Sequence, residues 1–60
     1  MSILLETMNE FRITRNGLDV AEQHIRKEDC YMALSYLQQT KNSIEKLIQI
    51  IALHYDLIRD

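Results

Sequence analysis

The sequence has no proline and a single glycine in sixty residues. These two residues are the main punctuation of turns and loops, so a chain nearly without them has few places to reverse direction. Folds built from many short strands are excluded, and long helices remain. The hydrophobic pattern agrees. In the first half Leu4, Phe11, Leu18 and Ile25 recur at heptad spacing, with Thr7, Thr14 and Ala21 at the alternate core spacing and Met8 beside them. In the second half Ala33, Leu37, Thr40, Ile44, Leu47, Ile51, His54 and Ile58 alternate steps of four and three. This is the 3.5-residue repeat of a coiled coil or helical bundle.

The polar gap Lys27-Glu28-Asp29 separates the two stripes, and Asp29 is placed to cap a helix that starts near Cys30. The spacing predicts helix 1 over about residues 2–27 and helix 2 over about 30–58, one domain across residues 1–60. Folded back on each other, the stripes match along their length. Ile25 meets Ala33, Ala21 meets Leu37, Leu18 meets Thr40, Phe11 meets Leu47 and Leu4 meets His54. The expected fold is therefore all-α, an antiparallel helical hairpin. Asn16-Gly17 could end a helix and Asp19-Val20-Ala21-Glu22 could start one. The stripe keeps its phase from Phe11 to Leu18, which predicts a continuous helix, kinked or frayed at Gly17.

Helix 2 is too apolar for one neighbour. Leu34, Ile44, Leu47, Ile48, Ile50, Tyr55, Leu57 and Ile58 span more than half its circumference, whereas one partner helix covers a stripe of roughly 100°. A second copy of the chain would cover the rest, giving a homodimeric four-helix bundle with Leu47, Ile50, Ile51, Leu57 and Ile58 at the dimer interface. Thr40 and Thr14 would then form a polar layer in the core. On that reading Thr40→Leu should add about 1 kcal/mol through apolar burial while loosening the choice of oligomer.

Chemistry-bearing residues are few. His24, Cys30 and His54 are the only soft metal ligands, and neither histidine follows a glutamate at the Glu-x-x-His spacing of di-iron bundles. His24 and Glu28 share a helix face but make at most half a site. Cys30 sits near the start of helix 2 with Lys27 close by, yet Glu28 and Asp29 precede it and no histidine is placed to act as its base. It is expected to be a small, semi-buried packing residue. No glycine-rich phosphate loop is present. No catalytic residue, metal or cofactor is expected, and the chain is read as a non-enzyme.

The charge balance, seven basic against nine acidic residues for a net −2, argues against general phosphate binding. A local basic sector does exist: Arg12, Arg15 and Arg26 project within about 60° of one another with Lys27 nearby. Asp19 and Glu22 dilute it, and no aromatic side chain lies between the arginines to stack a base. Opposite the stripe of helix 1, Ile13, Gly17 and Val20 form a second apolar patch in line with His24. This patch is the expected partner-binding face.

The expected function is that of a small non-catalytic protein-interaction module, a regulator, inhibitor or adaptor, acting as a homodimer on an unidentified protein partner. Such chains are common among phage and mobile-element products. The alternatives are a hairpin dimer that binds RNA or DNA through the arginine face, and a structural subunit of a larger complex. The longest apolar run, Ile50-Ile51-Ala52-Leu53, is far below the roughly 20 residues that span a bilayer. The opening Met1-Ser2-Ile3-Leu4-Leu5-Glu6 lacks the pattern of a secretory leader. With the lone cysteine, this leads to the expectation of a cytoplasmic protein without membrane attachment.

Overall fold

The computed structural model describes residues 3–58, and of Ile58 the backbone only. Two helices, α1 (Ile3–Arg26) and α2 (Cys30–Ile58), pack against each other as an all-α hairpin of 49 × 16 × 13 Å. Helix α1 runs through Asn16-Gly17 without interruption. Its end is a Schellman arrangement, in which the Glu28 N–H donates to Ile25 O at 2.9 Å and the Asp29 N–H to His24 O at 2.8 Å. Glu28 occupies the left-handed position of that motif, with φ 59°. Glycine usually stands there, and a side chain costs about 1–2 kcal/mol of local strain. Asp29 then caps α2, its Oδ1 accepting from the Met32 N–H at 3.1 Å. The cap and the C-terminal motif together give partners to the N–H groups of Lys27, Glu28, Asp29 and Met32, which lets so short a connection reverse the chain.

The face on which the helices meet differs from the one read in the sequence. The residues buried between them are Glu10, Thr14 and Ala21 on α1, and Ala33, Thr40 and Leu47 on α2. Gly17 and His24 continue the line on α1, and Tyr36, Ser43 and Ile50 on α2, all half-buried. Thr14, Ala21, Ala33, Thr40 and Leu47 were expected in the seam. Leu4, Phe11, Leu18, Ile25, Leu37, Ile44 and Ile51 were too, but all seven lie outside it, 42–64% exposed. Axial register is nearly as expected, with Thr40 facing Gly17 instead of Leu18. Each helix is instead rotated by about one position around its own axis.

The reason is size. Gly17 lets α2 come so close that a Cβ built on it would collide with Thr40 Oγ1. Small residues on both sides, with Ala21 and Ala33 nearer the turn, hold that spacing along the turn half of the hairpin. The polar groups in the seam are satisfied locally. Thr14 Oγ1 donates to Glu10 O at 2.9 Å and Thr40 Oγ1 to Tyr36 O at 2.7 Å. Thr40 is thus not a weak polar layer awaiting a leucine, and on this geometry Thr40→Leu is expected to destabilise instead of adding burial.

Glu10 is the one buried acid among the described residues, and Lys46 reaches it from α2 at 2.9 Å. The hydrogen bond and charge of Glu10, with a smaller contribution from Glu6, raise the Lys46 pKa above its ordinary 10.5. The charged lysine is therefore favoured in the folded state. Its contribution to stability is present below the unfolded-state value of 10.5 and is lost as pH rises through the higher folded value. Lys46→Met should melt below the wild type at neutral pH, and the gap should close above pH 10.5. Because Lys46 is solvent-exposed, salt should also narrow the gap. A gap that ignores both pH and salt would mean that it does not arise from the charge of the lysine.

Candidate interaction surfaces

The rotation of the helices leaves the hairpin with two unlike faces. On one, Leu4, Phe11, Leu18 and Ile25 of α1 run beside Leu37, Ile44, Ile48 and Ile51 of α2. Phe11 and the Ile44–Tyr55 stretch enclose an open groove of about 580 Å³ whose floor is Thr14 and Leu47. Nearer the turn, Leu18, Ile25 and Leu37 continue it over Ala21 with a further groove of about 280 Å³. The charged groups lining these two grooves, Asp56 and Glu22, stand at opposite ends. Between them the groove linings are apolar apart from Thr14; Lys41 shares the heptad line of Ile48, and Arg15 stands beside Phe11 and Leu18 at the outer edge of the stripe.

The opposite face carries a smaller, mixed groove of about 180 Å³ between Ile13, Gly17 and Val20 of α1 and Tyr36, Gln39 and Ser43 of α2. The four residues read as a partner-binding face meet different fates here. Ile13 is 45% exposed and Val20 is half-buried at the groove edge. Gly17 admits a close neighbour, as glycine on a helix face should, but that neighbour is the Thr40 side chain on α2 of its own chain. His24 stacks on Tyr36 with ring centroids 5.4 Å apart and planes 14° apart, and its Nδ1 lies 3.6 Å from Asp29 Oδ2. It thereby ties the turn to the first turns of α2. Tyr36 belongs to this face and was not singled out from the sequence; its three-residue step from Ala33 was the available signal.

The residues read as a dimer interface are divided as well. Leu47 is 6% exposed, buried against α1 of its own chain, and Ile50 is half-buried. Ile51 lies on the apolar stripe, Leu57 is 82% exposed, and the side chain of Ile58 falls outside the described residues.

In the arginine sector, Arg12 and Arg15 flank Asn16 and Asp19, and Arg12 Nη2 donates to Asn9 Oδ1 at 2.7 Å. Arg26 pairs with Glu22 at 3.6 Å, and Lys27 is exposed in the turn. The sector is thus interleaved with acids and amides on α1 itself.

Cys30 is exposed at the start of α2, not semi-buried, because the N-terminal residue of α2 projects away from α1. His54 is half-buried near the open end. Among the described residues, no three His, Cys, Asp or Glu side chains are grouped so as to hold a metal ion, and no helix is long and apolar enough to cross a membrane. Comparison with family models, curated proteins and solved structures finds no match to this chain.

Proposed function

We propose that the chain is a non-catalytic protein-interaction module, a small regulator, inhibitor or adaptor that works as a homodimer and binds another protein. The observation that carries this reading is the pair of unlike exposed faces on one thin hairpin. One face is long with apolar groove linings, Arg15 and Lys41 keeping to its outer edges, and the other is short and mixed. The larger groove is lined mainly by aliphatic and aromatic side chains with one carboxylate at its end, which suits apolar packing better than catalysis, and two faces allow self-assembly on one and recognition on the other. The mixed face offers a partner aromatic, amide and hydroxyl groups beside exposed aliphatic carbon, the composition of a standard recognition patch.

The double variant Ile13→Asp with Val20→Asp tests the recognition face. It should keep the helical content of the wild type and lose a protein that the wild-type chain captures from the native lysate. Full retention of every captured protein would remove recognition from this face. If what is retained is nucleic acid, released steeply by salt and weakened by Arg12→Glu, the arginine sector is the working surface instead.

A further inference from the structure

We infer that the apolar stripe from Leu4 and Phe11 to Ile44 and Ile51 is where a second copy of this chain packs, and that the hairpin holds its fold only in that pair. This rests on the reading of the chain as a self-assembling module and says where, and how tightly, assembly is tied to folding.

The first argument is what the single hairpin lacks. Among the described residues, no large side chain is fully buried, and the apolar part of the core is Ala21, Ala33 and Leu47. Three such residues cannot offset the conformational entropy of so many ordered residues. The bulk of the apolar surface lies on the stripe, where Phe11, Leu18, Leu37, Ile44 and Ile51 are each 42–47% exposed. These side chains are half in place. Their inner halves touch the neighbouring helix, and their outer halves form one continuous ledge.

The second argument is area. The exposed parts of the eight stripe residues come to on the order of 800 Å², what a standard-sized interface takes from each partner. A surface of that size on so small a chain also exceeds the largest apolar patch of a typical monomer, about 300–600 Å².

The third argument is self-complementarity. A two-fold interface brings a patch against its own copy, so any charge near its centre meets a like charge. The grooves of the stripe have their lining charges, Glu22 and Asp56, at the two ends, and Arg15 and Lys41 stand along its outer edges, off the midline. Because the two helices of each hairpin are antiparallel, either two-fold arrangement of stripe on stripe makes every neighbouring pair antiparallel, the packing of up-and-down four-helix bundles. An interface on Leu47 and Ile50 would need both to face outward, and Leu47 is already used within the hairpin.

Sedimentation equilibrium and circular dichroism melts over a dilution series test this. The wild-type chain should sediment at twice its 7.1 kDa mass, and its melting temperature should fall with each dilution, because a folded state made only by association follows mass action. Ile44→Asp should lose dimer and helical signal together at concentrations where the wild type keeps both. Ile44→Leu should keep both, and Ile13→Asp with Val20→Asp should keep both. A wild-type chain of single mass with a melt independent of concentration overturns the inference, and so does an Ile44→Asp variant that remains a dimer. The outcomes separate from those for recognition. A monomer that still captures a protein through Ile13 and Val20 removes the pairing, and with it the homodimer part of the proposed function, and leaves recognition standing. A stripe-paired dimer indifferent to those two substitutions removes only the recognition face.

Discussion

Replacing Phe11 with alanine should cost about 3–5 kcal/mol, the loss expected for a phenylalanine wholly inside a core. In the single hairpin Phe11 is 43% exposed, standing over Thr14 and against Ile44 and Ile48. Truncating a ring already half in water would remove only about 2 kcal/mol of burial. The size of the effect therefore reports whether the stripe is covered. A chain of this length has roughly 3–9 kcal/mol of total stability, so the larger figure would leave the variant largely unfolded at ambient temperature. Chemical denaturation of both proteins at matched concentration gives the difference directly. A loss of about 2 kcal/mol or less would mean that Phe11 stays at a water-exposed surface.

Thr40→Leu should destabilise the protein by about 1–3 kcal/mol, the usual cost of forcing extra carbon into a closed contact. Thr40 is 4% exposed, its hydroxyl anchored on the Tyr36 carbonyl and its side chain against Gly17. A leucine at this position has nowhere to go except by pushing α1 away. Gly17→Ala probes the same contact from the other side. In an open helix that change gains about 1 kcal/mol of helix propensity, but here the added methyl meets Thr40 Oγ1 and the net effect should be a loss. Combining Gly17→Ala with Thr40→Ala vacates the position of the Oγ1, so the double variant should recover most of that loss. The pair should thus show strong non-additivity in thermal melts. A stabilising Gly17→Ala on its own would show that the helices are further apart than the close Gly17–Thr40 contact implies.

Both cases turn on a rotation of the helices that periodicity does not specify. A helix that meets two neighbours has an apolar face wider than one seam, and the heptad positions on either edge of that face repeat at the same spacing. On α1 the line of Thr7, Thr14 and Ala21 can pair with Leu4, Phe11, Leu18 and Ile25 on one side. It can equally pair with Ile3, Glu10, Gly17 and His24 on the other. Hydrophobicity favours the first choice; the hairpin makes the second. The clues for the second are a glycine, a glutamate and a histidine, which look like surface residues until their partners Thr40, Lys46 and Tyr36 are seen beside them. Those partners are two or more turns of helix away along α2, so no local pattern links them.

By itself the sequence determined the local structure: two helices, their approximate ends, the continuity of α1 through Gly17, the reversal at Lys27–Asp29 and the Asp29 cap. Each follows from short-range physics, namely propensity, capping and the absence of proline. It also contained the surplus of apolar surface on α2 that one neighbour does not cover. Only the tertiary structure decided which edge of each apolar face closes the hairpin and which is left as the stripe. That choice is set by the close approach at Gly17 and Thr40, by the Glu10–Lys46 pair, and by a turn that orients α2 relative to α1. These are contacts between residues far apart in the chain, and their geometry exists only once both helices are in place.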